Sequence, residues 1–207
     1  MCNTAHEAAP DAASNGNANP DNSRASCSPP HALHKTPSSL VLLNTGDGKG
    51  KSTAAFGVIV RALAQGWRVC VIQFLKSAGW QVGEEVVFRR LGVEWLKGGD
   101  GFTWKAANLC HSRELARAAW DLAAAALRDG THDLVVLDEI TLPVSLGWIE
   151  SEEVVKAIRS RAEHVNVILT GRDAPQELVE VADTVTQMVK VRHPFDRGIY
   201  ARPGIDF

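Results

Sequence analysis

The sequence predicts an α/β fold, a mostly parallel sheet with helices on both faces. Three observations carry that reading. Apolar runs such as Leu134-Val135-Val136-Leu137 lack the polar alternation of a half-exposed strand, so both of their faces should be buried. These runs are separated by stretches with helical spacing of apolar residues. Polar residues of unusual type follow the runs directly, at the carboxyl ends of strands, where open parallel sheets carry their sites.

Taken in order, residues 1–38 are rich in Ala, Asn, Ser and Pro and nearly devoid of large apolar side chains. They are expected to form a mobile tail, because so little apolar surface cannot offset the entropy of ordering. Residues 39–207 are expected to form one domain, starting with the strand Leu40–Leu43. A helix follows from Lys51 to Gln65, with Phe56, Ile59 and Leu63 on one face and Gly66 at its end. Val69–Phe74 is a second buried strand. Ser112 is placed as the cap of a helix whose inner face is Leu115, Ala119, Leu122 and Ala126, ending near Gly130. Leu134–Leu137 is the third strand. Ser151-Glu152-Glu153 opens another helix with acids in its first turn. Val165–Leu169 is the fourth strand, and Thr184–Val191 the fifth.

Composition narrows the function classes. The chain is 45% hydrophobic and 22% charged, with a formal net charge of −2. That balance gives no global reason to expect nucleic acid or an acidic membrane as partner. No run approaches the ~20 apolar residues of a spanning helix, and the N-terminus does not resemble a secretory signal. A cytoplasmic protein is expected. Cys2, Cys27, Cys70 and Cys110 form no CxxC pair and no metal-type spacing with histidine, so buried or incidental thiols are expected.

The stretch Thr45-Gly46-Asp47-Gly48-Lys49-Gly50-Lys51-Ser52-Thr53 carries the strongest chemistry. Aligned on Gly50-Lys51-Ser52, the strict P-loop pattern would need glycine at position 45 and meets Thr45 instead. The working parts are present all the same. Gly46, Gly48 and Gly50 let backbone N–H groups turn inward around phosphate oxygens, and the following helix adds its positive end. Lys51 can reach phosphates, and the Ser52 hydroxyl can ligate Mg²⁺. Asp138-Glu139, at the end of the third strand, is Walker-B-like and suits a metal held directly or through water. Together these features point to a P-loop, RecA-like sheet. Glu139 has two readings at this point: a metal ligand, or a general base that activates water for ATP hydrolysis.

Other residues admit both functional and plain readings. In Gly98-Gly99-Asp100-Gly101-Phe102-Thr103-Trp104, an extended backbone would put Phe102 and Trp104 on one side. They would form a platform for a large planar ligand, or else fold back as core. Arg172, in Gly171-Arg172-Asp173, and Arg61 could each neutralise phosphate, while Arg61 equally suits a solvated helix surface. His193, in the C-terminal coil, reads by itself as structural.

The motifs TGDGKGKSTAAFG, VIQF, GDGFTW, VVLDE, TGRDAP and HPFDRGIYARPGIDF, in this order from about Leu40 to Phe207, resemble the corrinoid adenosyltransferases of the CobA/CobO/BtuR type. The P-loop is common to countless nucleotide enzymes, whereas GFTW and the GIDF ending are far more specific. The resemblance implies transfer of the 5′-deoxyadenosyl group of ATP to the cobalt of a reduced corrinoid, with release of tripolyphosphate. It implies that Thr45 through Thr53 hold the triphosphate, with Lys51 on its charge and Arg61 and Arg172 near the nucleotide. Ser52 and Glu139, with help from Asp138, would bind Mg²⁺. Phe102 and Trp104 would lie against the corrin on the face that loses its lower axial ligand, with His193 close by. A homodimer and a flavoprotein or flavodoxin-type reductant are the implied partners.

Overall fold

The computed structural model describes residues 37–77, 82–99 and 109–206. The tail expected over 1–38 lies almost wholly outside these residues, as do Phe102 and Trp104. The described chain contains strands β1 (Val41–Thr45), β2 (Val69–Ser77), β3 (Glu94–Gly99), β4 (Leu134–Asp138), β5 (Asn166–Thr170) and β6 (Thr184–Gln187). They form a six-stranded sheet in the order β3-β2-β4-β5-β1-β6, and every pairing is parallel. The helices are α1 (Lys51–Ala64), α2 (Gly83–Arg90), α3 (Leu109–Asp129), α4 (Thr141–Ser145), α5 (Ser151–Arg159) and α6 (Gln176–Val181).

Successive strand side chains point to opposite faces, and the core divides accordingly. Val41, Leu43, Cys70, Ile72, Val135, Leu137, Val167 and Leu169 pack under α3, α5 and α6. Val69, Val71, Leu134, Val136 and Ile168 pack under α1 and α2, with Phe56, Phe88 and Trp95 grouped at 5.3–6.2 Å between ring centroids. Burial on both faces is why these strands show continuous apolar runs. The expected α/β class is therefore borne out, with β5 standing between the loop-bearing β1 and the acid-bearing β4.

Several local expectations change. β3 and α2 form although no apolar run announced them. β3 supports one face with Trp95 and the other with Leu96, and α2 is tied to it by Glu85, whose buried carboxylate meets Lys97 at 2.6 Å and Arg89 at 3.0 Å. The glycine-rich stretch starting at Gly98 is thus partly strand. A Cβ at Gly98 would run into Ala119 of α3, so the missing side chain lets helix and strand close up. Ser112 is not a cap, because α3 already begins at Leu109. The inner face of α3 is Ala116, Ala119, Trp120, Ala123 and Leu127, and Leu122 is exposed. The last strand ends at Gln187 and is exposed throughout, as an edge strand can be. No described helix is long and apolar enough to cross a membrane.

Candidate functional site

The carboxyl ends of β1, β2, β4 and β5 meet at a cleft of about 230 Å³ on the α1 face. Its lining includes Asp47, Gly48, Lys49, Gly50, Lys51, Ser52, Thr53, Gln73, Asp138, Glu139, Arg172, His193 and Asp206. Sequence-expected residues from four separate segments, Asp47–Thr53, Asp138-Glu139, Arg172 and His193, are thus brought together. Arg61 is not among them; it is exposed in the last turn of α1, ten residues or about 15 Å along the helix from Lys51.

The glycine loop is shaped by its neighbour after β6. The Gly48 amide donates to the Met188 carbonyl at 2.7 Å, and the Met188 amide donates to the Thr45 carbonyl at 2.8 Å. A Cβ at Gly46 would stand 2.5 Å from the Met188 oxygen, and one at Gly48 2.8 Å from it. The loop therefore needs glycine at 46 and 48 for this close approach. One expectation is corrected here: the Gly48 N–H is directed to Met188 and is not turned inward. Gly50, at φ 115°, swings the chain into α1, whose N-terminus has no side-chain cap and no acid in its first turn. Such an end leaves backbone N–H groups and a partial positive charge directed at the cleft, which suits an anion.

Lys51 is buried, and its Nζ donates to the carbonyls of Gly46 and Gly48, each at 2.8 Å. Burial lowers its pKa below the ordinary 10.5, and the Arg172 charge lowers it further, while Glu139, Asp47 and Asp138 pull it back. The ammonium is held ready beside the loop by neutral acceptors that an anionic ligand can replace. Asn44 fixes the start of the helix by donating to the Lys51 carbonyl at 3.2 Å.

Across the cleft, a buried polar ladder joins four strands. Trp95 Nε1 donates to Gln73 Oε1 at 3.0 Å, and Gln73 Nε2 donates to Asp138 Oδ2 at 2.8 Å. The Thr170 hydroxyl donates to Asp138 Oδ1 at 2.8 Å and accepts from the Glu139 amide at 2.9 Å. Asp138 is only 1% exposed, so without these donors its carboxylate would be strongly unfavourable there. Glu139 follows at φ 61°, a left-handed conformation rare for a non-glycine residue, and lines the cleft. Ser52 and Glu139 supply oxygen donors of the hard type Mg²⁺ takes. Asp138 already accepts at each of its oxygens, so it suits a supporting role better than a direct one.

The second wall comes from the C-terminal half. Thr141 of α4 donates to the Arg172 carbonyl at 2.6 Å, holding the β5 loop over the cleft. His193 caps the 3-10 turn Pro194–Arg197, with Nδ1 accepting from the Phe195 amide at 3.2 Å. Asp206 pairs with Lys49 at 2.6 Å and accepts from the Arg202 amide at 2.8 Å, and these contacts hold its carboxyl below the usual range. Sequence reasoning assigned no role in the site to Asp206, Gln73 or Thr170. For Gln73 and Thr170 the available signal was position at a strand end. For Asp206 it was the GIDF ending.

The ladder generates a test. Thr170→Val removes a hydroxyl that serves two buried groups and should destabilise the protein by about 2–4 kcal/mol in urea unfolding. Thr170→Ser keeps the hydroxyl and should lose only about 1 kcal/mol for the methyl group. Equal losses for the two variants would contradict the hydrogen-bonding role.

Comparison with known proteins identifies the family. A family profile described as ATP:corrinoid adenosyltransferase BtuR/CobO/CobP matches residues 38–207. The chain is 42% identical over 170 residues to a corrinoid adenosyltransferase of Pseudomonas aeruginosa, covering 81% of this chain and 83% of the relative. It is 40% identical over 168 residues to that of Escherichia coli K12, covering 81% and 85%. It is 39% identical over 171 residues to that of Sinorhizobium sp., covering 81% and 80%. The solved structure of flagellar accessory protein FlaH from Methanocaldococcus jannaschii is similar at TM-score 0.47 and 12% identity, covering 73% of this chain and 71% of that one. With the profile spanning the whole described domain, this chain belongs to the ATP:corrinoid adenosyltransferase BtuR/CobO/CobP family.

Proposed function

We propose that this protein transfers the 5′-deoxyadenosyl group of ATP to Co(I) of a reduced corrinoid and releases intact tripolyphosphate. The observation that carries the reading is the facing arrangement of an uncapped helix N-terminus with Lys51 against Glu139, in a chain of this family. The triphosphate would lie along Thr45–Thr53, on the α1 amides, with Arg172 on its charge. Lys51 would exchange the Gly46 and Gly48 carbonyls for phosphate oxygens, and the anion would favour its charged form.

In the transfer itself, the electron pair of Co(I) forms the cobalt–carbon bond at C5′ as the C5′–O bond breaks. The departing pair stays on the oxygen of tripolyphosphate, and the cobalt becomes formally Co(III). No water needs activating, so Glu139 acts as a ligand and not as a base. Ser52 and Glu139, supported by Asp138, would hold Mg²⁺, which when bound neutralises charge on the leaving group. Phe102, Trp104 and His193 would line the corrin side. The two aromatic rings would exclude water and the lower axial ligand, which makes the cobalt easier to reduce. Electrons would come from a flavoprotein or flavodoxin-type partner, and the working unit would be a cytoplasmic homodimer.

Product analysis separates this reading from the alternative, a RecA-like ATPase with Glu139 as general base. Incubation with ATP, Mg²⁺ and chemically reduced cobalamin should give a light-sensitive cobalt–carbon product and tripolyphosphate. Lys51→Ala should lower turnover by about 100-fold or more. ADP and orthophosphate as the only products would overturn the proposal. Trp104→Ala should impair the reaction from cob(II)alamin with a weak reductant more than that from pre-reduced cob(I)alamin. Equal losses in the two assays would remove the role assigned to the aromatic pair.

A further inference from the structure

The amino end of the sheet, away from the cleft, holds a second group of reactive side chains. Cys70 lies near the start of β2, Glu94 opens β3 directly opposite it in register, and His132 lies in the turn leading into β4. One donor atom from each, the Cys70 Sγ, a Glu94 carboxylate oxygen and a His132 ring nitrogen, lies within 4.8 Å of the other two. Parallel register puts Cys70 and Glu94 on one face of the sheet, under α3. His132 Nε2 is 2.9 Å from Glu94 Oε2, and on the far side of the ring Nδ1 is 3.1 Å from the Thr131 hydroxyl. Asp133, next in the chain, is engaged by Arg68 and stands apart from the group.

We propose that Cys70, Glu94 and His132 form a three-ligand site for a borderline divalent cation, Zn²⁺ above all, separate from the phosphate cleft. One sulfur, one nitrogen and one carboxylate oxygen suit zinc far better than Mg²⁺ or Ca²⁺, which take oxygen donors. The surroundings favour the exchange. Cys70 is a free thiol, 1% exposed, and burial with the nearby Glu94 carboxylate pushes it up to about 12. A divalent charge among the three groups reverses both effects. On binding, the thiol proton leaves to solvent and Nε2 turns its lone pair to the ion, so that the proton of the neutral imidazole sits on Nδ1. The Thr131 hydroxyl, donor or acceptor by rotation, then accepts from Nδ1 and keeps the ring aimed. The Glu94 side chain is 52% exposed, so a water can complete four-coordination from solvent. The ion would fasten edge strand β3 and the β4 lead-in to β2, about 13 Å along β4 from Asp138. Sequence spacing conceals the set because its members come from three separate segments.

The test uses the full chain, stripped with a chelator and kept in excess Mg²⁺ so that hard-oxygen sites are filled. Titration with Zn²⁺ against a chromophoric chelator should show one tight equivalent, and Co²⁺ should produce a thiolate charge-transfer band. Cys70→Ala should abolish the band. His132→Gln and Glu94→Gln should each weaken Zn²⁺ by at least about tenfold, while Cys110→Ser leaves affinity and band intact. Zinc should raise the melting temperature of the parent and not that of His132→Gln. Because Cys70 is buried and its replacement can impair folding, the two less buried variants carry the decision by themselves. Failure of the parent to bind an equivalent, or undiminished affinity in both His132→Gln and Glu94→Gln, would overturn the proposal.

Discussion

A carboxylate buried at the end of β4 sets the terms for the site. Asp138 sits among apolar strands where an unpartnered charge would be highly unfavourable, so it demands donors from both neighbouring strands. Gln73 and Thr170 meet that demand, and Trp95 in turn fixes Gln73. The ends of β3, β2, β4 and β5 are thereby held in one register. The same Thr170 hydroxyl takes the Glu139 amide, which commits the next residue to its left-handed turn and its place in the cleft. Precision of the acidic wall is a consequence of satisfying one buried charge.

The opposite wall obeys a steric constraint. Two glycines let the Met188 backbone lie against the loop, and this contact, with the turn at Gly50, aims α1 at the acids. Lys51 then stands between carbonyl oxygens and a ring of charges of both signs. An arrangement with a cation poised on neutral acceptors and a bare helix end beside it is organised for an incoming polyphosphate. The C-terminal segment adds Asp206 on Lys49 and His193 at a turn, so residues far apart in the chain share one cavity.

Much of this was legible in the amino-acid sequence because burial on both faces writes itself as uninterrupted apolar runs. β1, β2, β4 and β5 carry that mark, and the loop and Asp138-Glu139 follow β1 and β4. β3 escaped because Glu94-Trp95-Leu96-Lys97 mixes charge with apolar residues, its charges being satisfied by His132 and by Glu85. The inner face of α3 was misjudged because an alanine-rich helix offers several apolar stripes, and the stripe that buries the large Trp120 side chain, together with Leu127, leaves Leu122 exposed. The Gly48 amide could not be assigned from spacing, since its partner Met188 is 140 residues away. The Cys70–Glu94–His132 group depends likewise on strand order, which no local pattern encodes.

The central chemical claim is that the bond from C5′ to oxygen breaks while the polyphosphate chain stays whole. ATP labelled with ¹⁸O at the 5′ bridging position reports on that bond alone. After turnover with reduced corrinoid, the account requires all of the label in tripolyphosphate and none attached to the nucleoside. Label retained on the adenosine fragment would show that a P–O bond had broken instead, and would contradict the account at its base.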